Sequence, residues 1–125
     1  MRAMVIDDDP IMLEVMALML KDIGISYDLF ISGKQAILEI EKERYDVVFV
    51  DLMMPEISGC DVIATMRSIG VDIPIIILSA LSDKDSFKKG IDAGANDFLS
   101  KPFSAKDLLL KIQAHFDFHD YKITA

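Results

Sequence analysis

A chain of 125 residues is one domain long, and 52% hydrophobic against 27% charged residues argues against intrinsic disorder. The formal charge of -8 repels phosphate backbones and anionic lipid, so neither nucleic acid nor membrane is expected as a direct partner; apolar runs such as Val47–Val50 and Ile73–Leu78 are too short to cross a bilayer. The single Cys60 cannot close an internal disulfide and Met1–Arg2 lead straight into a strand-like run with no room for a secretion signal, so the expected location is the cytoplasm.

Short β-rich runs alternate with longer segments of helical period. The first strand is expected over Ala3–Ile6, followed by a helix over Pro10–Ile23 that Asp9 caps, with Pro10 in its first position. Gly24 follows where a left-handed cap is needed. A second strand, Tyr27–Ile31, leads into a helix over Gly33–Glu43. The third strand, Asp46–Val50, and the fourth, Ile73–Leu78, hold the runs Val47–Val50 and Ile75–Leu78, apolar without alternation, as central parallel strands covered on both faces require. Helices are expected over Cys60–Ile69 and Lys84–Ala93, the latter ended by Gly94. The fifth strand, Asp97–Leu99, precedes a helix over Ala105–Phe116, with Ser104 as its N-cap and Asp107 close to completing a capping box. Five β-α units in a row predict an α/β fold, a parallel sheet with right-handed crossovers and helices on both faces. The tail Asp117–Ala125 has lost its period.

Ligands of an open parallel sheet bind at the carboxyl ends of its strands. Asp7, Asp8 and Asp9 follow the first strand, Asp51 the third, Ser79 the fourth and Lys101 the fifth. Alone, each has an ordinary explanation: a cap (preferred for Asp9), a turn residue, a solvated ammonium. Their joint placement argues for a site. Asp7, Asp8 and Asp51 would repel one another and raise their pKa values unless a cation intervened. A hard divalent ion such as Mg2+ takes oxygen ligands, few of them carboxylates. A phosphoryl group would supply further oxygens, with Ser79 to hydrogen-bond them and Lys101 to pair with them. An Asp carboxylate serving as nucleophile gives an aspartyl-phosphate.

The stretch Asp51-Leu52-Met53-Met54-Pro55-Glu56-Ile57-Ser58-Gly59 resembles the phosphoacceptor loop of two-component response regulator receiver domains. Gly94-Ala95-Asn96-Asp97-Phe98-Leu99-Ser100-Lys101-Pro102-Phe103 resembles that family's fifth strand and lysine motif, and Asp7-Asp8 its acidic pair. The resemblance implies a doubly wound, flavodoxin-like, five-stranded sheet of order 2-1-3-4-5 with five helices, over residues 1–119, with 120–125 a tail or linker stub. It implies Asp51 as phosphoacceptor, Asp8 and Asp51 as Mg2+ ligands with Asp7 beside them or acting through water, and the Met53 carbonyl as a further metal ligand. Ser79 would bind the phosphoryl group and Lys101 pair with it, while Phe98 would turn inward as Ser79 moves. Ser79 stands where many members carry Thr, and Phe98 where many carry Tyr. The Lys101–Pro102 peptide is expected to be cis, turning the loop so that Lys101 aims back at Asp51. The implied function is Mg2+-dependent acceptance of a phosphoryl group from a sensor histidine kinase or histidine phosphotransfer protein. The output would leave through helix 4, strand 5 and helix 5, to a downstream protein or a self-dimer. Such a domain is a signalling module and not an enzyme.

Two rivals compete. A small haloacid dehalogenase-type phosphatase would use the Asp-x-Asp within Asp7-Asp8-Asp9, but leaves Asp51 and its loop without a role. A receiver-like module that is never phosphorylated would have no need of the full constellation. On the first helix, Met12, Val15, Met16, Met19 and Ile23 make a core stripe, and Ile11, Leu13 and Leu18 fall off it. Those three are read either as a docking surface for a helical partner or as a wide core contact with scattered surface leucines. Cys60 is read as packing, His115 and His119 as solvated surface, and Gly90 as close packing or a deliberately weak helix.

Overall fold

The two runs read as central strands do lie inside the sheet. In the computed structural model, which describes residues 1–80 and 84–116, the chain forms β1 (Arg2–Ile6), α1 (Pro10–Ile23), β2 (Ser26–Phe30), α2 (Gly33–Ile40), β3 (Val47–Asp51), α3 (Gly59–Ser68), β4 (Ile75–Ala80), α4 (Lys84–Ala93), β5 (Asp97–Lys101) and α5 (Ala105–His115). The strands are all parallel, in the order β2-β1-β3-β4-β5. The boundary expected after residue 119, the tail and His119 lie outside the described residues. Among the described residues no helix is long and apolar enough to cross a membrane.

Alternate strand residues feed two cores. Ala3, Val5, Val47, Phe49, Ile76, Leu78 and Leu99 pack against α1 and α5, while Met4, Ile6, Val48, Val50, Ile75 and Ile77 pack against α2, α3 and α4. With both faces covered, the central strands need the unbroken apolar runs they have. β1, β2 and β3 lie within one residue of their expected bounds, and two strands differ by more. β4 starts two residues later than expected, at Ile75, whose N–H is met by the Asn96 side chain at 2.8 Å; Pro74 has no N–H to give the ladder. β5 runs on to Lys101 because Ser100 and Lys101 still pair with Ser79 and Ala80, a continuation hidden by their polarity.

The expected caps form. The Asp9 side chain accepts from the Ile11 N–H, Ser104 and Asp107 close a full capping box, and Gly24 (φ 89°) and Gly94 (φ 128°) take positive φ. Lys101–Pro102 is cis. On α1 the buried residues are Leu13, Met16, Leu20 and Ile23, with Met12 and Met19 only partly covered. Leu13 therefore belongs to the core and not to a docking face. The reason is that α1 faces the sheet and α5 together, so its buried stripe is rotated toward Leu13 and Leu20. Ile11 and Leu18 remain exposed, at 72% and 66%.

One structural residue had no place in the expectations. Arg67, in the last turn of α3, donates from Nε to the Gly94 carbonyl (2.9 Å), from Nη1 to the Val71 and Ile73 carbonyls (both 2.8 Å), and from Nη2 to Asn96 Oδ1 (2.8 Å). Its planar fork ties the entry of β4 to the α4–β5 turn, and an ammonium cannot reach all four acceptors. Arg67→Lys is expected to cost roughly 3 kcal/mol, since it strips partly buried carbonyls of charged donors. Urea denaturation reads this as a lower midpoint; a loss below about 1 kcal/mol would mean the clamp is dispensable.

Candidate functional site

Parallel strands end together, and at their carboxyl edge the chain gathers its acidic side chains. Asp51 is the last residue of β3, and Asp7 follows β1, its N–H fixed to the Phe30 carbonyl at the end of β2 (3.0 Å). Asp7, Asp8 and Asp51 each offer a carboxylate oxygen within 4.8 Å of the others. Asp7 is fully buried; Asp51 is nearly so, at 8% exposure. Lys101 reaches in from the end of β5, its Nζ 3.2 Å from Asp7 Oδ2 and 3.6 Å from Asp51 Oδ2. The Met53 N–H donates to Asp51 Oδ1 (3.2 Å), and the Asp9 N–H to Asp7 Oδ1 (3.0 Å).

Burial pushes the Asp51 carboxyl up to about 6; Lys101 opposes that rise and Asp7 adds to it. Three carboxylates facing one ammonium leave a formal surplus of two negative charges, which a divalent cation cancels. All the donors are hard oxygens, the set that suits Mg2+ better than a soft metal. The residues present thus fit such an ion.

Ser79, at 2% exposure, lies one position beyond Leu78, the residue that pairs with Asp51, so the register sets it at the same edge. Met53 meets Asp51 through its backbone N–H, and the residue is 68% exposed. Glu56, in the loop after β3, is the one non-glycine residue with positive φ (65°) among the described residues; no propensity in the sequence marked it.

Residues 3–113 match the family described as the response regulator receiver domain. The chain belongs to that family. It is 38% identical over 113 residues to response regulator MprA of Mycolicibacterium vanbaalenii and 37% identical over 113 residues to transcriptional regulatory protein DltR of Streptococcus agalactiae serotype III. Each alignment covers 90% of this chain, but only 49% and 50% of those proteins, so the chain spans about half the length of the curated relatives it matches. Among solved structures it is similar to the receiver domain of sensor histidine kinase PA1611 from Pseudomonas aeruginosa, which has magnesium coordinated in its active site cleft. That likeness has a TM-score of 0.84 at 29% identity and covers 91% of this chain and 95% of the other. A receiver domain is a signalling domain, and the phosphatase alternative finds no support in these relatives.

Other features of this receiver domain sit away from the acidic edge. Phe98 is 40% exposed, and its ring is stacked on Phe87 with centroids 4.5 Å apart. His115, expected to be solvated, instead lies 3.0 Å from Asp97 Oδ2, and Lys111 Nζ lies 2.9 Å from Asp97 Oδ1. Burial pulls the Asp97 carboxyl upward, but hydrogen bonds from Lys111, His115 and the Phe98 N–H outweigh it and hold it below the usual range. Asp97 had been read only as a strand residue, and the i, i+4 spacing of Lys111 and His115 was the signal that they share a partner. Cys60 packs against the α2–α3–α4 core, and burial beside Asp61 pushes its thiol up, which suits packing rather than redox chemistry.

Proposed function

We propose that this receiver domain accepts a phosphoryl group on Asp51, from a sensor histidine kinase or a histidine phosphotransfer protein. The supporting observation is a buried carboxylate at the end of β3, held 3.6 Å from the Lys101 ammonium beside a second acidic pair. An Asp51 oxygen forms the new P–O bond while the donor's P–N bond breaks and its imidazole leaves. Lys101 Nζ, kept in place by buried Asp7, pairs with the charge that develops on the phosphoryl oxygens. The Ser79 hydroxyl donates to one of those oxygens. Asp8, Asp51 and the Met53 carbonyl would hold Mg2+, with Asp7 beside them, and the ion would supply neutralising charge to the carboxylates and the phosphoryl group. The domain turns over no external substrate, so it is read as a switch and not an enzyme.

Phosphorylation adds close to two negative charges and three acceptor oxygens at Asp51. Pulling Ser79 and Lys101 toward them shifts the ends of β4 and β5, and Phe98 turns inward to fill the space. The face built by α4, β5 and α5 would then present a changed surface to a downstream protein or a second copy. Ile11 and Leu18 on α1 are read as the donor's docking surface. The expectation of no direct nucleic-acid partner reaches no further than these residues. DltR is named a transcriptional regulatory protein, and a longer protein of that kind would meet nucleic acid through the rest of its length.

Labelling with acetyl phosphate and Mg2+ tests the assignment. Asp51→Asn is expected to abolish the base-labile acyl phosphate and Asp7→Asn to leave some of it; labelling of Asp51→Asn would place the nucleophile elsewhere. Leu18→Glu separates donor docking from chemistry. It is expected to slow transfer from a phosphotransfer protein at least about tenfold, from losing apolar contact and adding a charge, while acetyl phosphate labels it as well as the wild type. Equal transfer rates would make Leu18 plain surface.

A further inference from the structure

Methionine is buried unevenly in this fold. Met4, Met16 and Met66 lie fully inside the two cores, and Met1, Met12, Met19 and Met54 pack against those cores partly covered. Of the eight methionines only Met53 is exposed. Its backbone is nonetheless fixed. Leu52 before it is buried and accepts from the Gly59 N–H, and the Met53 N–H donates to Asp51 Oδ1. An open thioether is therefore carried at the lip of the acidic edge, two residues from Asp51.

A reachable thioether is a target for peroxides, and oxidation turns a flexible apolar side chain into a polar one. The competing sulfur is poorly placed. Cys60 is partly covered, and burial beside Asp61 pushes its thiol up, so little of the reactive thiolate is present near neutral pH.

We infer that Met53 is a redox modification site, at which a hydroperoxide makes the sulfoxide and the sulfoxide then hinders phosphoryl donors on their way to Asp51. The Met53 sulfur lone pair attacks the terminal peroxide oxygen, and an S–O bond forms as the O–O bond breaks. The displaced hydroxide or alkoxide takes the proton left on the transferred oxygen and departs as water or alcohol. Sulfur loses two electrons and the peroxide gains them. A methionine sulfoxide reductase reverses the change.

The consequence follows from charge. Three carboxylates facing one ammonium already leave this edge a formal surplus of two negative charges. The sulfoxide adds a dipole whose oxygen end is negative. About half a charge facing a doubly charged phosphate at about 4 Å in water slows approach roughly fivefold, and the positive sulfur behind it reduces that figure. This consequence rests on Asp51 as the acceptor, whereas the modification itself rests on the exposure of Met53.

The test treats the domain with hydrogen peroxide in chelator, removes the peroxide with catalase, and divides the sample. One half is digested for mass spectrometry and the other is labelled with acetyl phosphate and Mg2+. Met53 is expected to gain oxygen before any other methionine and before Cys60. The oxidised domain should label at least about twofold more slowly than the untreated one, with its melting temperature nearly unchanged, and the reductase should restore the rate. Each variant is compared only with its own untreated form. Met53→Leu should lose the response to peroxide, while Met54→Leu and Cys60→Ser should keep it. Oxygen arriving first at another residue, an unchanged rate once Met53 is fully oxidised, or slowing that persists in Met53→Leu overturns the inference. So does a large drop in melting temperature, which would trace the slowing to a buried methionine. Mass spectrometry reads the modified residue without any phosphoryl donor. Labelling of Asp51→Asn would thus sink the acceptor assignment and its consequence here, and leave the modification of Met53 standing.

Discussion

In metal-free buffer near neutral pH, Asp51→Asn is expected to melt higher than the wild-type domain, by roughly 5 °C or more. In the folded chain the Asp51 carboxyl ionises near 6, above its model-compound value of 3.8, because burial disfavours the charged form more than Lys101 favours it. The folded state therefore binds this proton more tightly than the unfolded state. The stabilisation is fully present below about pH 4 and is lost as pH rises through about 6. At neutral pH the fold carries the buried charge at a cost on the order of 3 kcal/mol, which the neutral amide avoids. The two proteins should converge at low pH and separate between about pH 4 and 6. Melting scans in chelator across that range decide it, and parallel profiles, or a variant that melts lower at neutral pH, would refute the account. Saturating Mg2+ should reverse the order. Binding to the native state alone contributes RT ln(1 + [L]/Kd), about 4.1 kcal/mol at a thousandfold excess over Kd, which exceeds the cost of the buried charge. That gain needs the carboxylates, so it should largely vanish in Asp51→Asn and in Asp8→Asn.

How much of this was legible before the fold was seen depends on the length scale of the signal. Polar residues at strand ends are a local pattern, and Asp7, Asp8, Asp51 and Lys101 do meet, because parallel strands in adjacent register bring their carboxyl ends to one edge. The unbroken apolar runs of β3 and β4 likewise announce burial on both faces. The stripe on α1 was misjudged because the helix is apolar nearly all round. Leu13, Met16, Leu20 and Ile23 fit a helical period as well as Met12, Val15, Met16, Met19 and Ile23 do, and only the position of α5 decides between them. Arg67 was invisible for a different reason. Its acceptors are mostly backbone carbonyls, at Gly94, Val71 and Ile73, and a carbonyl has no side-chain identity to read.

Gly59→Ala is expected to be the most damaging of the glycine replacements, costing about 3 kcal/mol and slowing acetyl phosphate labelling at least about tenfold. A Cβ at Gly59 would stand 2.3 Å from the Asp51 carbonyl oxygen and 2.6 Å from Leu52 Cα, both backbone atoms. The Gly59 N–H also donates to the Leu52 carbonyl (3.0 Å), so the first turn of α3 cannot draw back without breaking that bond. Relief must come from moving Asp51 itself, which is pinned in register with Leu78 and aimed at Lys101. Two other glycines separate this effect from general strain. At Gly90 the new Cβ would meet Ile77 Cδ1 at 2.2 Å, the free end of a flexible side chain, and the gain in helix propensity of about 1 kcal/mol offsets part of the overlap. At Gly70 no atom lies within 4 Å, but φ is +94°, so Ala there carries a conformational cost of about 1 kcal/mol and no clash. Gly70→Ala and Gly90→Ala should therefore melt lower than the wild type yet accept phosphate at its rate, whereas Gly59→Ala should be slow even at temperatures where it is fully folded. A Gly59→Ala protein that labels as fast as Gly70→Ala would mean that the loop after β3 tolerates displacement, and that close packing at Gly59 serves stability without positioning Asp51.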